Sequence, residues 1–193
     1  MTASREVMIN KEIPQVIHQQ IVKALSHYPE LKQTHIRFRF TKSLKKSIMA
    51  ARPVVKTLLG SRENRTYDIL ISAVFRLPHS IEPIHQVDDK VLIGWIGHEL
   101  GHIMDYEQRS TIGIARFGIL YGLSDRYIRK AERVADTFAV HRGLAPYIVA
   151  TKNFILGHAG LPEAYKNKIA RLYLSPDDIV ELVNAMEDKT IYQ

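Results

Sequence analysis

The chain has no cysteine, and this absence limits both its covalent structure and the metals that it can bind. Disulfides are excluded, and so are zinc sites built from thiolates. Any metal ion would therefore be bound by histidine, aspartate or glutamate side chains. The chain has 193 residues, of which 46% are hydrophobic. This is enough to bury a core, and we expect a single domain over residues 1–193.

Long apolar segments are also missing. The N-terminus, Met1 to Glu6, lacks the apolar core of a secretion signal. No apolar stretch approaches the roughly 20 residues that are needed to span a bilayer. We therefore expect a cytoplasmic protein without a transmembrane segment.

Acidic side chains are scarce in the first third of the chain. Residues 1–66 contain thirteen Lys and Arg against four Glu, a net charge of +9, whereas residues 67–193 contain fourteen against sixteen Asp and Glu, a net charge of −2. The basic excess in residues 32–65 could meet nucleic acid, an acidic protein partner or an anionic membrane surface. Few aromatic residues separate the basic ones and no nucleic-acid-binding motif is present, so a solvated face is the simpler interpretation.

What the chain does contain is an apolar run from Val91 to Met104 with His-Glu-Leu-Gly-His set inside it. Residues four positions apart lie on one face of an α-helix, so His98 and His102 can present two imidazoles to one metal ion, with Glu99 beside it. This arrangement is typical of zinc hydrolases, in which a carboxylate takes the proton of an activated water. A catalytic zinc takes three protein ligands, so the sequence must supply another one.

Hydrophobic periodicity predicts an α+β fold, in which a small N-terminal sheet precedes the motif helix. We predict a first helix from Lys11 to about Tyr28, strands over residues 34–40, 54–59 and 67–75, metal-site helices over about 89–108 and 125–141, and a helical part over 144–193. Residues 42–52 are ambiguous between a short helix and an irregular connection. His79 and His85 are predicted to lie in a loop, where they could be further ligands but are more simply solvated.

The segment from Thr111 to Leu123 is apolar, with a single charged residue at Arg116. It is too short to cross a membrane and too apolar for a free loop. We expect it to pack over the core or to wall a cleft, and contact with a membrane or a partner is the alternative. Near the end of the chain, Ser175 is predicted to cap a last helix, which would pack on the core or occlude the cleft.

Two acidic residues of the second metal-site helix are candidates for the metal centre. Glu132 and Asp136 lie one turn apart at the border of an apolar stripe, where an unpaired carboxylate is costly. A metal ion would compensate that cost. Ion pairs with Arg129 or Arg133 on a solvated face would also compensate the cost of the carboxylates. The residues of this helix by themselves do not decide between a metal ion and ion pairs.

His-Glu-Leu-Gly-His followed by Ala-Glu-Arg-Val-Ala-Asp-Thr-Phe-Ala at residues 131–139 resembles the gluzincin metallopeptidases. The HtpX-type membrane-bound housekeeping proteases share Glu-x-x-Ala-Asp. The cytoplasmic ImmA/IrrE-type proteases have Glu-x-x-Ala-Asn-x-Phe-Ala with a Pro soon after, which here is Pro146. The similarity covers about residues 90–146. It implies a zincin-like fold.

The resemblance also implies an activity and a role for each site residue. Zinc would be held by His98, His102 and Glu132, and Glu99 would activate a zinc-bound water for attack on a peptide or protein substrate. Asp136 would accept a hydrogen bond from one of the two histidines and fix its tautomer. The strand over residues 67–75 is expected to form the cleft edge to which an extended peptide adds.

Several points stay open at the level of sequence. The donor that stabilises the oxyanion could be any of five residues: Tyr106, Tyr121, His141, Arg142 and His158.

Other zincin branches fit less well, because Gln108 stands where the metzincin pattern requires a His. An Asp third ligand would leave Asp105 or Asp125. The alternative functions are a non-catalytic, zinc-containing regulator and a nucleic-acid-associated protein that uses the basic 32–65 region.

Overall fold

The computed structural model describes residues 9–42, 44, 47–76 and 81–191. The N-terminal residues Met1 to Glu6, two lysines of the basic region, Lys45 and Lys46, and the histidine His79 lie outside the described residues. The strands are β1 (Lys11–Glu12), β2 (His35–Thr41), β3 (Met49–Pro53), β4 (Thr66–Ser72), β5 (Val74–Arg76) and β6 (Ile81–Pro83). A mixed four-stranded sheet has the order β1-β2-β4-β3, and β5 pairs with β6 in a separate ribbon.

The helices follow the sheet, apart from one that lies between β1 and β2. They are α1 (His18–Leu25), α2 (Asp89–Glu107), α3 (Thr111–Leu123), α4 (Asp125–Ala139), α5 (Ala145–Gly157), α6 (Glu163–Leu172) and α7 (Pro176–Ile191). The predicted α+β class is therefore confirmed. None of the helices in the described part of the chain combines the length and the apolar composition that a bilayer-crossing segment requires.

The sheet follows a period-two pattern in its two central strands. β2 and β4 are parallel, and β3 runs antiparallel to β4 at the edge. Alternate side chains of β2 and β4 are buried in the core: Ile36, Phe38, Tyr67, Ile69 and Ile71. Since successive side chains of a strand point to opposite faces, one face of the sheet is apolar and covers the helices.

Helix α2 lies at the centre of the molecule, and every residue from Val91 to Tyr106 is buried. It packs against α1, α4, α5 and β3. Two of its glycines permit this. A Cβ added at Gly94 would lie 2.2 Å from the backbone oxygen of Tyr147 on α5, and one added at Gly101 would lie 2.4 Å from that of Ala135 on α4. Close helix packing thus offsets a loss of helix propensity of roughly 1 kcal/mol per glycine.

The first predicted helix was wrong at its start. Lys11 and Glu12 form β1, which pairs with β2, and α1 begins only at His18. The ammonium group of Lys11 donates hydrogen bonds to the carbonyl oxygens of Leu31 and Thr34, at 3.0 and 2.7 Å. These contacts hold the backbone extended, although the spacing of Ile17, Ile21 and Leu25 in the following segment is helical as predicted.

Two of the strand predictions were also wrong. Residues 55–59 form a short 3-10 helix, and the strand lies earlier, at Met49–Pro53 in the segment that was ambiguous. Only Leu58 is buried among residues 55–59, so this apolar run does not alternate between two faces. The strand predicted over residues 67–75 divides at Ala73, and its main part, β4, lies between β2 and β3. The edge strands of the sheet are therefore β1 and β3, and the expectation that residues 67–75 form the cleft edge is wrong, because β4 is a central strand.

Candidate metal centre

Capping residues set the two helices of the site. The side chain of Asp88 accepts a hydrogen bond from the backbone N–H of Lys90 at 2.8 Å and begins α2. The hydroxyl of Ser124 accepts one from the backbone N–H of Tyr127 and begins α4. On α4, small buried alanines flank Glu132 and Asp136 and let the helix approach α2 closely. Both carboxylates therefore face α2 instead of solvent.

The structure brings the three predicted ligands together. Glu132 Oε2 lies 3.0 Å from His98 Nε2 and 3.3 Å from His102 Nε2. One ligand atom from each of these residues lies within 4.8 Å of the others, and all three side chains are buried. Neither Arg129 nor Arg133 forms the ion pair with Glu132 that was the alternative, since Arg133 lies 3.8 Å from Asp178. This buried cluster could hold a metal ion.

The carboxylates and imidazoles of the cluster shift one another's pKa values. Burial alone would raise the pKa of Glu132, but the imidazoles of His102 and His98 hold it well below its usual range. Burial alone would lower the pKa of His98, but Asp136 and Glu132 raise it to about 10. The raised pKa favours the imidazolium form of His98 in the metal-free protein, in which Nδ1 donates to Asp136 and Nε2 to Glu132. A metal ion bound at Nε2 would replace one of its protons.

Asp136 lies behind His98. Its Oδ1 accepts a hydrogen bond from His98 Nδ1 at 2.8 Å, and the carboxylate is fully buried. The backbone N–H of Leu174 donates to Oδ2 at 3.1 Å. Of the two histidines, Asp136 therefore contacts His98. His102 Nδ1 is buried without a hydrogen-bond partner among the described residues.

The sequence predictions missed Lys152, a buried lysine on α5. Its ammonium group lies 2.9 and 3.1 Å from the two carboxylate oxygens of Asp136. It also lies 4.3 Å from the centre of the Tyr173 ring. This cation holds the pKa of Asp136 below its usual value against the opposing effect of burial. One signal was available, because Lys152 is the single charged residue in an otherwise apolar helix.

Glu99 lies beside the cluster and is buried. Its Oε2 accepts a hydrogen bond of 2.6 Å from the backbone N–H of Ala51 on the edge strand β3. The hydroxyl of Tyr106 donates a hydrogen bond of 3.3 Å to the carbonyl oxygen of Ala51. No side-chain motif could have indicated Ala51, since its contribution is made by the backbone.

Of the five candidate oxyanion donors, only Tyr121 forms a hydrogen bond with one of the three cluster residues His98, His102 and Glu132. The hydroxyl of Tyr121 donates to Glu132 Oε1, and burial raises the pKa of this phenol so that it stays protonated. His141 is exposed. Arg142 pairs with Glu30, and His158 lies near Glu82, at 3.8 Å.

The remaining candidate ligands lie outside the cluster. Asp105 forms an ion pair of 2.8 Å with Arg109, and Asp125 forms one of 2.7 Å with Arg171. His85 is exposed as predicted, but the predicted loop is wrong at this position, because His85 lies in the 3-10 helix Ile84–Gln86 directly after β6. A metal site with an Asp third ligand therefore has no support in the described part of the chain.

A small cavity adjoins His98 and Glu99. It has a volume of about 30 Å³ and is lined in part by Trp95 of α2, Tyr165 of α6 and Tyr173. A cavity of this size holds a water molecule. Other lining residues come from α5 and from the segment that leads into β3. Helix α7 packs against α5. The last helix is capped as predicted, since Ser175 and Asp178 exchange hydrogen bonds of 2.8 and 3.0 Å.

No family model matches the chain. Comparisons with characterised proteins and with solved structures likewise give no match. Any functional proposal therefore depends on the residues of the buried cluster and their surroundings.

Proposed function

We propose that the protein is a zinc-dependent metallopeptidase of the gluzincin type. The observation that carries this proposal is the convergence of His98, His102 and Glu132 in one buried cluster, with Glu99 beside them. The sequence resemblance supports the same function, because it assigns the same residues to these roles. A zincin-like fold is part of the proposal.

The donor set suits zinc. Nitrogen and carboxylate oxygen are ordinary zinc ligands, and thiolates are not needed. In a tetrahedral site with bonds of about 2.0–2.1 Å, neighbouring ligand atoms lie about 3.3 Å apart. The separations of 3.0 and 3.3 Å between Glu132 Oε2 and the two imidazole nitrogens fit this requirement. Three protein ligands also leave the fourth position open, as in catalytic sites.

In the proposed reaction Glu99 is the general base. A bound zinc ion supplies Lewis acidity, which polarises a peptide carbonyl and makes water more acidic. Glu99 accepts a proton from the attacking water and then delivers it to the leaving amine nitrogen. The backbone N–H of Ala51 fixes the position of this carboxylate. Tyr121 is the best placed of the candidate donors to stabilise the developing oxyanion, after exchanging its contact with Glu132 for one with substrate.

The carboxylate behind His98 has a positioning role. Asp136 accepts the Nδ1 proton of His98, and this contact leaves Nε2 free for the metal ion. Lys152 keeps Asp136 ionised in its buried position.

Metal analysis and peptide cleavage test the proposal together. We expect purified protein to hold one zinc per chain, Glu132→Ala to lose it, and Glu99→Gln to keep it while losing activity against a mixed peptide library. Glu181→Gln, on the exposed face of α7, is the matched control and should retain both. If Glu99→Gln cleaves peptides as fast as the unaltered chain, the catalytic part of the proposal fails.

One observation favours a second function, a regulator with a structural metal. The ligands are buried, and the adjoining cavity is small, with a volume of about 30 Å³. Under this alternative the unaltered chain also binds zinc but cleaves no peptide, and Glu132→Ala lowers stability. The basic region offers less support for a nucleic-acid-associated protein, because Arg37 pairs with Asp68 and Arg39 lies near Glu12. Salt-dependent DNA binding would revive that possibility.

A further inference from the structure

Helix α3 has two apolar faces. The inner face buries Ile114 and Phe117 and carries Tyr121, whose hydroxyl contacts Glu132. The outer face exposes Ile112, Ile119 and Leu123, with exposed fractions of 82%, 63% and 80%. These three residues share one stripe of the helix, because their spacing is close to whole turns. An exposed apolar stripe marks a surface that contacts something else.

The stripe continues beyond the helix. The hydroxyl of Thr111, at the start of α3, donates a hydrogen bond of 2.9 Å to the carbonyl oxygen of Leu58. The 3-10 helix Val55–Leu59 therefore lies against this end of α3. Two of its side chains are also exposed, Val55 by 75% and Leu59 by 89%. We call these five side chains the outer surface: Val55, Leu59, Ile112, Ile119 and Leu123.

The charges on and beside the outer surface are mostly positive, with Glu63 next to Arg62 as the exposed exception. Arg116 lies on the stripe itself and is the single charged residue of α3. Lys56 and Arg62 are exposed and belong to the adjoining segment. The acids at the two ends of α3 are engaged elsewhere, since Asp105 pairs with Arg109 and Asp125 pairs with Arg171. An anionic partner is complementary to this surface.

We propose that the outer surface docks on an anionic lipid bilayer. The apolar side chains enter the boundary between headgroups and acyl chains, and Arg116, Lys56 and Arg62 contact the anionic headgroups. A second copy of the chain suits the surface less well, because a symmetric dimer would place Arg116 against its own like charge. Each apolar side chain of the outer surface has more than half of its area exposed to solvent. Protruding side chains of this kind fit a fluid bilayer better than a rigid protein surface. Docking requires neither a metal ion nor catalysis, so it is independent of the proposed function.

Vesicle sedimentation with the full chain tests this inference. The probe is a vesicle of equal parts phosphatidylcholine and phosphatidylglycerol, compared with vesicles of phosphatidylcholine alone. We expect the protein to bind the anionic vesicles about tenfold more strongly than the neutral ones, and to dissociate as salt is added. Equal binding to both kinds of vesicle, or no binding to either, overturns the proposal.

Three variants locate the contact. Ile119→Asp combined with Leu123→Asp should lower binding at least about tenfold, because the substitutions replace two apolar side chains of the stripe by carboxylates. The control for one added charge is Val180→Asp on α7, which is 52% exposed and lies outside the outer surface. It should bind like the unaltered chain, whereas Ile119→Asp alone, with the same change in charge, should bind more weakly. Circular dichroism establishes that all three variants fold.

Three outcomes contradict the proposed docking site. An equal loss of binding in the Val180→Asp control shows that added negative charge, rather than the stripe, sets the affinity. Full binding by the double variant shows that the contact lies elsewhere. A chain that dimerises in solution through the stripe, becomes monomeric in the double variant and binds no vesicles shows that the occupant is a second copy.

Discussion

At the scale of single residues, Lys152 decides how a fully buried carboxylate can exist behind His98. An uncompensated charge in the interior is costly, and Asp136 is compensated by an ammonium group, an imidazole and a backbone N–H. The cation comes from α5 and the imidazole from α2, so two helices meet at a carboxylate on a third.

Replacing Lys152 by methionine should weaken the site. Removing one partner of a buried ion pair costs about 3–5 kcal/mol of stability, and loss of support behind a ligand lowers metal affinity about 10- to 100-fold. Thermal unfolding and zinc competition with a chelator measure the two effects. Lys130→Met, at an exposed position of α4, should change neither. Unaltered zinc affinity in Lys152→Met would remove Lys152 from the positioning role.

The pKa of His98 predicts a pH dependence for the metal-free protein. This pKa is about 10 in the folded chain, against an ordinary value of 6.5. Because the folded-state value is raised, the protonated imidazole stabilises the fold fully below pH 6.5, and this contribution is lost as the pH rises through about 10. We expect the Tm of metal-free protein to fall over this interval, and His98→Gln should reduce the fall. A Tm that rises with pH would contradict the proposed charge state.

At the scale of elements, the sequence predicts a helix or a strand correctly where the residues that determine it lie within the segment itself. The motif helix was predicted over about 89–108 and spans Asp89–Glu107, because its cap and its apolar run lie within the segment itself. The sequence does not predict the strand Met49–Pro53, and the strand that it predicts over residues 54–59 is wrong. Strand pairing depends on a partner that is distant in sequence, here β4.

The same distinction applies to the site. The spacing of His98, Glu99 and His102 within one helix made their juxtaposition predictable, and a family pattern added Glu132 and Asp136. Lys152, Tyr121 and the N–H of Ala51 come from three other elements, and the sequence has no pattern that connects them. Tertiary packing alone brings these groups to the cluster.

The spacing of α2 and α4 gives a prediction at this scale. In Gly101→Ala, the added methyl group meets the backbone oxygen of Ala135 at 2.4 Å, so the two helices must separate. We expect a loss of about 1–3 kcal/mol in stability and weaker zinc binding, since Glu132 moves away from the imidazoles. Gly118→Ala on α3 is the matched control, because its added methyl group meets no atom within 4 Å. It should stabilise the protein by up to about 1 kcal/mol. Equal stability of the two variants would contradict this role of Gly101.

At the scale of the whole molecule, the candidate metal centre joins parts of the chain that are far apart in sequence. The sheet edge contributes the N–H of Ala51, α3 contributes Tyr121, and the segment after α6 contributes the N–H of Leu174. These groups surround the two site helices on several sides. We expect these surrounding elements to limit access to the ligands.

This enclosure has a consequence for exchange kinetics. His98, His102 and Glu132 are exposed by only 7%, 6% and 1%, so we expect a chelator to reach a bound ion only after the fold opens. Opening must come first, and it becomes the slow step. We expect zinc to leave at a rate that reaches a plateau as chelator concentration increases, measured by the absorbance of a chromogenic chelator. A rate that stays proportional to chelator concentration would instead indicate direct attack on an accessible ion. Burial of the ligands would thus make the residence time of a bound ion depend on the opening of the fold.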